Sequence, residues 1–119
     1  MKLLRLLAMS ISALALPFSV SANTPTTTQV QVQKAVGVWI DVRSAEEFAQ
    51  GHLSGAFNIT HNEIAEKIAH ISPNKDEPIN LYCRSGRRAE AALQELKKLG
   101  YRNVTNHGGY EDLVKQGLK

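Results

Sequence analysis

Four short apolar runs, at residues 38–42, 56–59, 79–83 and 103–106, punctuate this chain, and each gives way to a polar or glycine-containing turn. Runs of four or five residues bounded in this way read as buried strands. The stretches between them carry helical periodicity. Strands separated by helices are joined by crossovers, and crossovers place neighbouring strands parallel. The expected fold is therefore α/β: an open parallel sheet of four to five short strands with helices on both faces. A chain of 119 residues has room for one such domain. Its 43% hydrophobic and 21% charged composition is that of an ordinary soluble globular protein.

The helices announce their ends. Ser44-Ala45-Glu46-Glu47 is a capping box, so a short helix should start there and stop by Gly51. Asn62 can cap a second helix with Ile64, Ile68 and Ile71 on one face, closed by Ser72-Pro73. A third is expected over 87–99, with Ala89, Ala92, Leu93, Leu96 and Leu99 on one stripe and Gly100 as its stop. A fourth covers 110–116. Trp39 is expected to pack at the sheet's face or edge.

Residues 1–22 have a different character. A short basic start (Met1-Lys2-Leu3-Leu4-Arg5) leads into an apolar run over 6–16, then Pro17 and the small-residue end Ser19-Val20-Ser21-Ala22. Those are the three parts of a cleavable signal peptide. Ser10, Ser12, Pro17 and Ser19 keep the run below the ~18–20 unbroken apolar residues that a bilayer span needs. Cleavage is expected after Ala22, giving a periplasmic or secreted protein with no stable membrane insertion. Residues 23–33 read as a polar leader running into a possible edge strand, where Val30 and Val32 alternate with glutamines, and residues 34–119 read as the single domain. Without Lys2 and Arg5, the 14 basic residues fall to twelve against 11 acidic. That balance argues against nucleic acid as a partner, which calls for a basic face.

Export sharpens the meaning of the one cysteine, Cys83. Exported chains use cysteines in pairs, and here no intrachain disulfide is possible. A lone thiol is then either an inert buried residue or one retained for its reactivity. Its surroundings favour the second. Cys83-Arg84-Ser85-Gly86-Arg87-Arg88 runs from a buried strand through a tight turn into a helix, and open α/β sheets bind ligands at the carboxyl ends of their strands. Backbone amides from Arg84 to Arg88 can curl into a nest backed by the positive end of the helix and three guanidinium groups, a cradle for anions. Gly86 gives the turn access to positive φ. The same field favours the nucleophilic thiolate of Cys83. The four histidines are scattered, Cys83 has no sulfur partner, and no metal-ligand cluster is visible.

This loop resembles the six-residue active-site loop of the rhodanese sulfurtransferases. Residues 40–59, from Ile40-Asp41-Val42-Arg43 through Gly51-His52-Leu53 to Asn58-Ile59, resemble that family's N-terminal signature, and Gly108-Gly109-Tyr110 its C-terminal one. The resemblance runs from about residue 38 to the end and is strongest to small single-domain periplasmic members of the phage-shock-protein group. At Leu113 many members carry Trp, a packing difference. The resemblance implies sulfur transfer from thiosulfate to cyanide or a thiol through a Cys83 persulfide, with no cofactor and no metal. It makes Cys83 catalytic and assigns substrate binding to the loop Arg84, Ser85, Gly86, Arg87 and Arg88. Arg84 and Arg88 are expected to hold the dianionic donor, with Arg87 toward solvent. Asp41, Arg43, Glu47 and His52 are expected to be structural neighbours, with Arg43 paired to Glu47 or Asp41 and His52 a hydrogen-bonded turn residue. The spacing identifies no partners for His61, His70 and His107. A small-molecule donor and acceptor and a monomer are the expected company.

Two other readings share the loop. Cysteine phosphatases and arsenate reductases cradle oxyanions in a Cys-x5-Arg loop, whereas Arg88 makes this one Cys-x4-Arg, with Ala89 at the phosphatase arginine's position. The shorter loop makes a smaller bowl, suited to sulfur rather than phosphate. A catalytically silent binding module typically lacks the cysteine, which is present here. A sulfur carrier for one dedicated partner would use the same persulfide.

Overall fold

The computed structural model describes residues 33–119. The expected signal peptide and the edge strand at Val30 and Val32 lie outside the described residues. Within them, β1 (Val38–Asp41), β2 (Phe57–Asn58), β3 (Ile79–Cys83) and β4 (Val104–Gly109) form one sheet in the order β2-β1-β3-β4. Every pairing is parallel. The crossovers are α1 (Ala45–Gln50), α2 (Ile64–Ile71) and α3 (Arg87–Lys98), and α4 (Tyr110–Lys115) follows β4. No helix among the described residues is long and apolar enough to cross a membrane.

The period-2 alternation of strand side chains divides the interior into two cores. Ile40 and Val42 beside β3's Ile79, Leu81 and Cys83 meet Ile64 and Ile68 of α2 and Ala89, Ala92, Leu93 and Leu96 of α3. Trp39 and Tyr82 point the other way, onto Leu53, Leu113 of α4 and Leu118. All five residues of β3 are buried, as a central strand covered on both faces requires. Each fully buried Leu or Ile in the larger core contributes about 1.5–3 kcal/mol. That core holds the strand whose last residue is Cys83.

Three boundaries differ from expectation for identifiable reasons. Asn62 does not cap α2. Glu63 stands at that position, already in the right-handed helical region with no side-chain cap bond, and its carbonyl accepts from the Glu66 and Lys67 amides. A turn closed by Glu63 N–H on the Thr60 carbonyl winds straight into the helix. Leu99 leaves the α3 stripe and is 40% exposed. Gly100, at φ +96°, reverses the chain so that Tyr101 N–H bonds the Leu96 carbonyl, and the Tyr101 ring enters the core in place of Leu99. Strand β4 continues past Asn106 to Gly109, because a register shift between Leu81 and Cys83 lets the ladder resume at Cys83 and Gly109.

Candidate active site

Cys83 closes the central strand on the face covered by α3, and the turn after it is set by Gly86 at φ +98°. A side chain at Gly86 would be strained by that φ and would also sit 3.3 Å from the Gly108 Cα. The turn folds the loop over the sulfur. Gly86 N–H donates to Cys83 Sγ at 3.0 Å, and Ala89 N–H, in the first turn of α3, donates at 3.4 Å. Two amides and the positive end of a twelve-residue helix thus converge on one sulfur, an arrangement that stabilises negative charge there. Cys83 is 1% exposed. Arg84, Ser85 and Arg87 are exposed above it, and with the half-buried Arg88 they rim a depression of about 410 Å³.

β4 holds the loop from its other side. A Cβ on Gly109 would fall 2.4 Å from the Arg84 carbonyl oxygen, so only glycine fits that close approach. Asn106 acts as a staple: its Nδ2 donates to the Gly86 carbonyl at 2.9 Å and to Glu90 Oε1 at 3.2 Å, while its Oδ1 accepts from Gly108 N–H at 2.9 Å. Bonds from Gln94 and Asn106 hold the Glu90 carboxyl below its ordinary value. Sequence reasoning missed Asn106, a polar residue in the outer strand with no spacing signal. It noted Gly109 within a motif without finding the backbone that the glycine admits.

Of the two partners expected for Arg43, Asp41 takes it. The guanidinium Nε donates to Oδ1 at 2.9 Å and Nη2 to Oδ2 at 2.6 Å, with a further bond from Nη2 to the Gly51 carbonyl. This buried pair lies on the ring of Tyr110, 4.5 Å from its centroid, and Asn58 Nδ2 ties it down through the Asp41 and Arg43 carbonyls. Tyr82 carries the same buried layer to the loop after α1 by accepting from Leu53 N–H, and burial pushes its hydroxyl well up. Glu47 turns instead to Arg88, accepting Nη1 on Oε1 at 2.9 Å and Nη2 on Oε2 at 3.1 Å. The capping box is complete as well, with Ser44 N–H and Oγ–H donating to Glu47 Oε1 and Glu47 N–H donating to Ser44 Oγ. The Arg88 guanidinium foremost brings the Glu47 carboxyl down to about 2.

His52 is exposed in the turn after α1, its Nδ1 bonded to the Phe48 carbonyl and its ring stacked on Phe48. His107 Nε2 meets Asn80 Oδ1 at 2.8 Å and stacks on Trp39, and burial lowers its pKa. His61 bonds the Val42 carbonyl through its backbone N–H, and His70 lies exposed in the last turn of α2.

The site is thus a cysteine at the carboxyl end of the central strand of a parallel α/β sheet, its sulfur accepting two loop amides beside three arginines. A family model of the rhodanese-like domain matches residues 25–116. The thiosulfate sulfurtransferase PspE of Escherichia coli K12 is 40% identical over 81 residues, covering 68% of this chain and 78% of that protein. A solved structure described as rhodanese with anions from E. coli aligns with TM-score 0.62 and 41% identity, over 63% of this chain and 88% of that one. A putative sulfur carrier protein of Bacillus subtilis, YrkF, is 34% identical over 56% of this chain, which spans only 35% of that protein. The chain belongs to the rhodanese family of sulfurtransferases.

Proposed function

We propose that this protein is a thiosulfate sulfurtransferase working through a persulfide on Cys83. The observation that carries the reading is the convergence of the Gly86 and Ala89 amides on Sγ beneath an arginine-rimmed cup. The Cys83 thiolate attacks the outer sulfur of thiosulfate; the new S–S bond forms as the donor's S–S bond breaks, and that bond's electron pair leaves with sulfite. The product, Cys83–S–S⁻, keeps one negative charge in the amide field of the Ser85 to Arg88 turn. Attack by cyanide or a thiolate on the outer sulfur then returns the Cys83 thiolate. No proton is taken from carbon in either step, which leaves His52 without a general-base role.

Arg84 and Arg88 hold the dianionic donor, with Arg87 toward solvent. Arg84 carries more of that task, because Arg88 is already shared with Glu47. The relative named as a thiosulfate sulfurtransferase and the solved rhodanese with anions both favour such a donor. The likeness to a putative sulfur carrier favours a second reading, in which the same persulfide serves one dedicated partner.

Intact-mass measurement after thiosulfate tests the reading. The protein should gain the mass of one sulfur atom, removed again by cyanide, and Cys83→Ser should gain none. A Cys83→Ser protein that keeps thiosulfate:cyanide activity would remove Cys83 as the nucleophile. The same reading places the mature protein in the periplasm or outside the cell after cleavage at Ala22, which N-terminal sequencing of exported protein checks.

A further inference from the structure

Arg84 belongs to two depressions. One is the depression rimmed by Arg84, Ser85, Arg87 and Arg88 of the loop after Cys83; the other, of about 460 Å³, stretches from α1 to α4 and is lined by Gln50, Tyr110, Glu111, Asp112 and Lys115 among others. That volume suits a small molecule. Two of the charges at its wall are engaged, Arg43 by Asp41 and Glu47 by Arg88. Four are not. Arg84, Lys115, Glu111 and Asp112 enter none of the ion pairs among the described residues. Glu111 and Lys115 stand four residues apart with Glu first, the spacing and order that favour a pair on a helix, and still make none. Acid in the first turn of α4 and base in its last complement the helix dipole. The dipole does not explain why both signs line one depression together with Arg84 from the reactive loop.

A depression that offers unengaged carboxylates and cations side by side, and shares Arg84 with the loop that follows Cys83, is complementary to a ligand carrying both charges. Cyanide has no use for it. We propose that this depression is the acceptor subsite for a small amino-acid thiol, with Glu111 and Asp112 holding the ammonium group and Lys115 and Arg84 the carboxylate. The inference rests on the reading of Cys83 as a persulfide carrier and names the acceptor for that same site. In the transfer, the acceptor thiol gives its proton to solvent and its thiolate attacks the outer sulfur of the Cys83 persulfide. A new S–S bond forms on the acceptor, the bond to Cys83 Sγ breaks, and its electron pair restores the Cys83 thiolate. One persulfide is consumed and one made, so no outside oxidant is required.

Protein loaded with thiosulfate and freed of excess donor is discharged by cysteine, by 3-mercaptopropionate, which lacks the ammonium group, and by cysteamine, which lacks the carboxylate. The readout is the ratio of rates between thiols in the wild type and in each variant, which cancels the thiols' intrinsic reactivities. In the double variant Glu111→Gln/Asp112→Asn the cysteine to 3-mercaptopropionate ratio should fall roughly three- to tenfold, the range for charged contacts on a solvent-facing wall. In Lys115→Gln the cysteine to cysteamine ratio should fall by a similar factor. Loading of each variant by thiosulfate, read by mass, shows that it has folded. Ratios equal to the wild type's in both variants overturn the acceptor subsite and leave the persulfide reading standing; a wild-type protein that takes no sulfur from thiosulfate overturns both.

Discussion

Glu47 and Arg88 lie 41 positions apart and meet through two parallel hydrogen bonds, joining the capping box of α1 to the first turn of α3. One carboxylate therefore closes a helix start and fixes the last arginine of the reactive loop. Planar fork-to-carboxylate pairing is directional as well as attractive, so Glu47 fixes the orientation of the Arg88 guanidinium.

Replacing Glu47 with Gln should uncouple the two. The Glu47 carboxyl sits at about 2 in the folded protein against an ordinary 4.5, so the pair's stabilisation is whole above the ordinary value and is lost as pH falls through the folded one. Urea unfolding at a series of pH values should show a gap between wild type and Glu47→Gln that is constant above about pH 4.5 and closes toward pH 2. A gap that ignores this window would contradict the pairing.

The arginines should separate on mutation to Ala. Arg84→Ala should raise the Michaelis constant for thiosulfate about ten- to a hundredfold, the loss of a charge-assisted hydrogen bond of roughly 1.5–3 kcal/mol. Arg88→Ala should weaken thiosulfate use and also lower the melting temperature, since it leaves Glu47 without its cation. Arg87→Ala should change least. Steady-state kinetics with thermal melts on the same three proteins check the ordering, and added salt should weaken donor use.

Gly109→Ala tests the contact between β4 and the loop. The new Cβ would meet a backbone oxygen at 2.4 Å, so the Arg84 peptide must shift. Overpacking of this kind costs about 1–3 kcal/mol. Calorimetry should record that loss, and sulfur transfer should fall with it as the amides move off Sγ. A fully stable and active Gly109→Ala protein would show that the loop does not depend on this approach.

Phosphate esters should be poor substrates. The Cys-x4-Arg loop sets a small cup, and hydrolysis of para-nitrophenyl phosphate should stay near background, with weak activity expected only after one residue is inserted between Gly86 and Arg87. Robust hydrolysis by the unaltered protein would refute the argument from loop length.

Local chemistry explains which features could be read from residues alone. The capping box at Ser44, the stop at Gly100 and the buried run ending at Cys83 are each written within a few neighbouring positions, and the structure contains them as written. The choice of Asp41 rather than Glu47 for Arg43 was not readable, because it depends on where α3 delivers Arg88. The bond from Asn106 to Gly86, 20 residues back, and the close approach of Gly109 to Arg84 escaped for the same reason: these groups become neighbours only when β4 pairs with β3. The side chain of Asn62 suits a cap, but the turn through Glu63 already supplies the first helical bonds, which no local pattern announces.

The resting sulfur of Cys83 is 1% exposed, beneath a loop whose Arg84 and Ser85 face solvent. A persulfide on Cys83, as proposed, would place its outer sulfur one S–S bond, about 2 Å, beyond Sγ. On the proposed reading the cargo atom stands one bond beyond the buried Sγ, so the loop that covers the resting thiol also sets how far an acceptor must reach. Bulky disulfide reagents should therefore react slowly with the resting Cys83 thiol.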